Sequence, residues 1–195
     1  MPTLRPRAPV AVALVHHPVY GRNREVVTTS VTGSDIHDVA RIARTYGAEP
    51  YYIVNPVAAQ RDMVEAIARK WTEGEECASG HPRGEAISLI RVVPSLADAV
   101  ADLAARAGGR PAVIVTGASL RDGVATHGDV RRRIAEGRDP GVLIVFGTGW
   151  GLVRETVEAA DVRLEAIDAG TGFNHLPVRA AVAIVLDRLL GPVLY

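Results

Sequence analysis

Short apolar runs recur along this chain, each followed by a stretch of helical period. Residues 10–15, 51–54, 112–116 and 142–146 are almost uninterruptedly apolar and of strand length. A strand that is apolar at every position must be buried on both faces, which is the condition of a central parallel strand. Further strands are expected at 87–93 and 163–167. Helical patterns fall at 34–46, 56–71, 96–107, 129–136, 152–159 and 175–190. Ser34, Ser95 and Asn174 read as N-caps, Pro56 as a helix start, and Gly47, Gly108-Gly109 and Gly191-Pro192 as stops. Strand and helix in strict turn predict an α/β fold with a mainly parallel sheet and helices on both faces. No internal repeat is visible. Two segments lack a period. Residues 72–85 read as an exposed loop. Residues 17–34 join the first strand to the first helix, on the edge where open α/β sheets bind ligands.

The 195 residues, 48% of them hydrophobic, suit one domain spanning 1–195 with a sizeable core. Lys+Arg and Asp+Glu number 22 each, so the formal net charge is zero. Charge alone therefore points to neither a nucleic acid nor an acidic substrate. The single cysteine, Cys77, excludes an intramolecular disulfide and a Cys-cluster metal site, and its acidic setting disfavours a reactive thiolate. No apolar signal region opens the chain, and its longest apolar run, 180–186, is far too short to cross a bilayer. A soluble cytoplasmic protein with no membrane association is the expectation.

The chemistry-bearing candidate is the turn Phe146-Gly147-Thr148-Gly149-Trp150-Gly151, which follows directly on an apolar run. Glycines after a strand let the backbone come close to a ligand. A dinucleotide fingerprint needs G-x-G-x-x-G and an acidic residue about 20 positions on. Gly147, Gly149 and Asp168 match parts of it. Leu152, however, takes the third glycine position, Trp150 is bulky where a pyrophosphate should pass, and the turn follows a late strand. A turn whose glycines serve only helix–strand packing is the bland alternative. The last helix carries two apolar stripes, Leu176, Ala180, Ala183, Ile184 and Leu190 on one, Val178, Val182, Val185 and Leu189 on the other. Such a helix is buried nearly all round, inside the fold or at a homodimer interface.

Three segments, in this order, resemble the SPOUT superfamily of RNA methyltransferases. Asp35 to Gly47 is similar to the first motif of its SpoU-type branch, with Arg41 and Gly47 in place and Asp35 where the branch has Asn. The segment 143–152 resembles the family's glycine loop, without the Glu often found there. Residues 174–186 resemble its last motif, a polar residue and Leu ahead of a Val/Ala-rich helix. The resemblance implies a C-terminal trefoil knot, a homodimer through the last helix, and S-adenosylmethionine as cofactor. It places the cofactor among three loops: Thr116, Gly117 and Ala118; Phe146, Gly147, Thr148, Gly149 and Gly151; and Ile167, Gly170, Asn174 and Leu176. The substrate implied is a nucleotide of tRNA or rRNA.

Arg41 is the expected stabiliser of developing negative charge, since its guanidinium stays protonated. His37, one helical turn before it, is the expected proton acceptor. A solvated surface role is the alternative for both. His16-His17 ends a buried strand with no carboxylate nearby in sequence, so no metal site is expected. Arg131-Arg132-Arg133 point about 100° apart and form no single basic face. Two other functions remain open from sequence: an NAD-dependent oxidoreductase using the glycine turn, and a binding or regulatory protein that keeps the fold without methyl transfer. Asp35 and the missing Glu favour the latter.

Overall fold

In the computed structural model, residues 8–73 and 82–192 are described. Cys77 and the middle of the expected 72–85 loop lie outside them. The first strand, β1 (Val10–Val15), is followed by a small antiparallel pair, β2 (Val19–Tyr20) and β3 (Val26–Val27), and then by α1 (Gly33–Tyr46). The chain continues through β4 (Tyr51–Val54), α2 (Ala58–Glu73), α3 (Pro82–Ile87), β5 (Ile90–Val93) and α4 (Leu96–Ala107). It ends with β6 (Ala112–Val115), α5 (His127–Glu136), β7 (Val142–Gly147), α6 (Arg154–Glu158), β8 (Val162–Arg163) and α7 (Val178–Leu190).

The six-stranded sheet has the order β5-β4-β1-β7-β6-β8, and all its pairings are parallel. Alternate residues of the apolar runs face opposite layers, as the period of two requires. Val10, Val12, Leu14, Ile144 and Phe146 pack on the side of α1, α2, α3, α5 and α7. Ala11, Ala13, Val15, Leu143 and Val145 face α4 and α6. Strand order reverses beside β1: β4 and β5 extend one way, β7, β6 and β8 the other. The carboxyl ends of β1 and β7 thus flank the topological switch point, where open sheets form a ligand crevice.

Several boundaries differ from the sequence reading. Residues 87–93 are not one strand, because Ile87 closes α3 and only Ile90–Val93 pair with β4. Ala86 and Ile87 are buried, and a short apolar run does not by itself distinguish helix from strand. Residues 72–73 complete α2 and 82–85 begin α3, so the ends of the expected loop are helical. Thr32, not Ser34, caps α1: its hydroxyl accepts from Asp35 N, while Asp35 Oδ2 accepts from Thr32 N and Oγ1, both at 2.8 Å. Helix α6 starts at Arg154 because Leu152 is held in an antiparallel bridge to Val19. The expected 163–167 strand shrinks to β8 and one bridge from Leu164 to Ala125. Finally, α7 begins at Val178 behind Pro177, and Asn174 does not cap it.

Candidate active site

The glycine turn is clamped from two sides. Val15 O accepts both Thr148 N at 3.1 Å and Thr148 Oγ1 at 3.0 Å, which ties the turn to the end of β1. Gly151 N donates to Thr148 O at 3.0 Å and closes it. The β2–β3 pair grips the outer edge, with Trp150 N donating to Tyr20 O and Tyr20 N to Gly151 O, each at 2.8 Å. A Cβ at Gly147 would lie 2.7 Å from Leu152 N, and one at Gly149 2.8 Å from Tyr20 O. These two glycines therefore permit close backbone packing, against Leu152 ahead of α6 and against Tyr20 of β2. Gly151 differs: its φ is 100° and nothing lies within 4 Å of where a Cβ would be. Phe146 is 2% exposed and belongs to the core. Trp150, by contrast, stands 62% exposed at the tip of the turn.

The other two expected walls also sit at this edge. Thr116 follows β6, and its N and Oγ1 both donate to Val145 O at 3.0 Å. Gly117 packs close to Leu120, and Ala118 O accepts from Asn174 Nδ2 at 2.8 Å. Asn174 thus ties the β6–α5 loop to the β8–α7 loop, a role unlike the helix cap expected of it. Arg121 Nη2, 3.7 Å from Asp168 Oδ2, joins the same loops. Ile167 packs against the core that holds Phe146. Gly170 has a φ of 72° and open space beside it, while Leu176 is 43% exposed. Among the described residues, no backbone–backbone hydrogen bond involves residues 166–176. Side chains of the loop take two of its amides, Gly170 N donating to Asp168 Oδ1 at 2.8 Å and Phe173 N to Thr171 Oγ1 at 3.4 Å. The remaining amides and carbonyls, beside small and apolar side chains, fit an adenosyl group: the backbone can read an adenine edge and the apolar groups cover its ring.

Arg41 lies on the exposed side of α1, where Asp38 pairs with it and with Arg179 Nε, the latter at 3.7 Å. The cluster joins α1 to the first turn of α7, just past Leu176. His37 faces another way. Its ring meets Trp71 edge-on at 5.6 Å between centroids, and its Nδ1 is buried without a hydrogen-bond partner. Burial, then the Arg83 guanidinium, hold His37 below the usual histidine range.

Two polar pairs escaped the sequence reading. His16, completely buried at the end of β1, hydrogen-bonds through Nδ1 to Thr29 Oγ1 at 2.9 Å. His127 Nδ1 meets Glu165 Oε1 at 2.8 Å, and the same oxygen accepts His127 N at 2.7 Å. A histidine directly following a wholly apolar strand was the available signal for the first. The second joins residues 38 apart in sequence and left none. Among the described residues no group of three or more His, Cys, Asp or Glu could hold a metal ion. An open cleft of about 430 Å³ lies elsewhere, between Gly123–Ala125 and Ala160–Arg163 at the β8 edge.

A family described as SAM-dependent RNA methyltransferase matches residues 9–191. The chain belongs to this family. It is 39% identical over 190 residues to a tRNA (guanine-N(1)-)-methyltransferase of Oleidesulfovibrio alaskensis, which covers 97% of this chain and 44% of that protein. A protein of the same description from Nitratidesulfovibrio vulgaris is 41% identical over 187 residues, 96% of this chain and 43% of the relative. The chain thus spans less than half the length of these two relatives, whose name describes the whole of each. An uncharacterized protein of Aquifex aeolicus, 37% identical over 182 residues, is matched over 93% of this chain and 88% of its own. Among solved structures, TrmJ from Z. mobilis ZM4 aligns with a TM-score of 0.60 at 22% identity, over 93% of this chain and 69% of that one. The SpoU methyltransferase AviRb from Streptomyces viridochromogenes, in complex with AdoMet, aligns with a TM-score of 0.56 at 17% identity, over 96% and 59%. At these identities the likeness is one of fold. Membership of the methyltransferase family favours methyl transfer over a dinucleotide-dependent oxidoreductase.

Proposed function

We propose that this member of the methyltransferase family binds S-adenosylmethionine among the loops 116–118, 146–151 and 167–176 and methylates a nucleotide of tRNA or rRNA in the cytoplasm. The observation that carries the reading is the loop 166–176, free of backbone–backbone bonds among the described residues and tied by Asn174 to Ala118 at the carboxyl edge of the sheet. The bound cofactor supplies an already activated methyl group, so the protein's main task is alignment. Thr116, Gly151, Gly170 and Leu176 hold the donor. Arg41, beside Arg179, orients an RNA phosphate or stabilises charge on the acceptor. The expected proton acceptor, His37, is kept neutral by burial and Arg83 but faces Trp71 and not the Arg41–Arg179 side, so the geometry supports Arg41 alone in this reading. Asp35, which departs from the family's Asn, keeps a structural task as the α1 capping carboxylate.

Homodimerisation through α7 is part of the proposal. Val182, Val185, Leu186 and Leu189 are buried, whereas Ala180, Ala183 and Ile184 are only partly covered and Leu176 is exposed. A second copy on that stripe would cover it and gather arginines such as Arg22, Arg24, Arg41 and Arg44 around one cleft, offsetting the neutral net charge. A threaded C-terminal segment, the trefoil knot, accompanies this reading. Among the described residues no helix is long and apolar enough to cross a membrane.

Calorimetry with S-adenosylmethionine, S-adenosylhomocysteine and NADH tests the cofactor. Binding of the two adenosyl ligands and not of NADH is expected, and binding of NADH alone would end the reading. Arg41→Ala is expected to slow methylation of bulk tRNA or rRNA by at least about tenfold with cofactor affinity retained, as loss of a charge-stabilising contact does. Unchanged methylation would remove Arg41 from the mechanism.

A further inference from the structure

A line of polar atoms runs beneath the glycine turn. His16 Nδ1 lies 2.9 Å from Thr29 Oγ1, Thr29 Oγ1 lies 2.6 Å from Thr148 Oγ1, and Thr148 Oγ1 lies 3.0 Å from Val15 O. The last contact sets the direction of the whole line. A carbonyl oxygen only accepts, so Thr148 spends its one hydroxyl proton on Val15. Thr148 must then accept from Thr29, which spends its own proton on it. Thr29 in turn must accept from His16, which requires the proton on Nδ1.

The opposite ring nitrogen makes no hydrogen bond that would fix its own proton, so the assignment rests on the hydroxyl line. His16 Nε2 is buried with no hydrogen-bond partner and lies 4.0 Å from Asp35 Oδ2. Burial holds His16 below the usual histidine range, against the pull of Asp35 and of backbone contacts at Thr29 and Ser30, so the ring is neutral near pH 7. Thr29 is fixed on all sides: its N donates to His16 O at 2.9 Å, and its O accepts from Asn55 Nδ2 at 3.2 Å. Its methyl carbon lies 3.4 Å from where a Cβ of Gly149 would be. One rotamer of Thr29 therefore serves both the hydroxyl line and the packing under the turn.

We propose that His16 is a positioning residue for the cofactor pocket, its Nδ1–H selecting the Thr29 rotamer that holds the Thr148–Gly151 turn in place. His16 touches no ligand, being completely buried. It acts through Thr29 and Thr148 on the wall that the glycine turn presents. This inference rests on the cofactor reading given above.

Two measurements separate it from a merely structural histidine. Long-range proton–nitrogen NMR of the full chain reads the tautomer directly, and a protonated Nδ1 with a bare Nε2 is expected near pH 7. A proton on Nε2 in the neutral ring would overturn the proposal. The second is cofactor affinity by calorimetry. Thr29→Val keeps shape and methyl packing but breaks the line at two hydrogen bonds, and is expected to weaken S-adenosylhomocysteine binding about tenfold. His16→Asn places an amide donor near the Nδ1 position and is expected to bind within about threefold of wild type. His16→Phe is expected to bind as poorly as Thr29→Val. Wild-type affinity in Thr29→Val, or equal losses in His16→Asn and His16→Phe, would overturn the proposal. If the wild-type chain binds no adenosyl ligand, the cofactor reading fails, while the tautomer still upholds or overturns the direction of the line.

Discussion

The two glycine-bearing loops at the carboxyl edge of the sheet are built in opposite ways. The turn at 148–151 is held by backbone bonds to Val15 and Tyr20, and neighbouring backbone fills the space beside Gly147 and Gly149. The loop at 166–176 makes no backbone–backbone bond among the described residues, and nothing fills the space beside Gly170 or Gly172. The same residue type thus has two uses. In the turn, Gly147 and Gly149 let chain approach chain. In the loop, glycine leaves open space where a side chain would stand. A pocket with one rigid wall and one adaptable wall can present a fixed surface to a ligand and close over it from the other side.

Hydrogen exchange gives the widest separation between the two. Amides of Trp150 and Gly151, both bonded within the clamp, are expected to exchange on the order of a thousandfold more slowly than those of Ala169 and Gly172. S-adenosylhomocysteine should slow the second group and leave the first nearly unchanged. Comparable exchange in both loops would erase the contrast. Substitution sharpens it further. Gly149→Ala adds left-handed strain to a clash with Tyr20 O and should cost about 3 kcal/mol in denaturant unfolding. Gly170→Ala carries the strain alone and should cost about 1 kcal/mol.

A pH response is expected from His16, beneath the turn, and from His37, on α1. His16 and His37 are both held below the usual histidine range, so between their folded values and about 6.5 the unfolded chain binds more protons. Stability is fully present above about pH 6.5 and is lost as pH falls through the folded values. The fully buried His16 can contribute at most about 1.4 kcal/mol per pH unit, and His16→Asn should flatten the fall measured between pH 7.5 and 5. The smallest effect on folding lies on the loop side. Asn174→Ala removes one hydrogen bond to Ala118 O and should cost about 1 kcal/mol, with the wild-type pH slope. Its loss of adenosyl affinity should be several-fold, because the loop would no longer be tied to its neighbour. A large stability loss there would show that the loop is as clamped as the turn.

Much of the frame was readable before any coordinates. The runs at 10–15, 51–54, 112–116 and 142–146 form strands, the third ending at Val115, because apolarity on every residue can be satisfied only under two layers of helix. Gly47 and Gly108 stop α1 and α4 in left-handed conformations, as the sequence expectation had it. What misled were positions where a distant partner competes with a local preference. Asn174 looks like a helix cap, but its amide is taken by Ala118, 56 residues away in sequence. Leu152 fits the start of a helix, but it bridges to Val19. Phe146, expected in a pocket wall, puts its side chain into the core and leaves only its backbone to the turn.

Sequence alone determined the class of fold, the glycine turn, the helix stops and the family likeness, because each rests on residues that are neighbours along the chain. Tertiary structure decided which glycines face backbone and which face open space, which way the proton points on His16, and which loops Asn174 holds together. Those depend on atoms brought within hydrogen-bond reach from segments as far apart as Thr29 and Thr148, 119 residues along the chain. No local pattern encodes such a distance. It is set when burial of the sheet brings the ends of β1, β6, β7 and β8 to one edge.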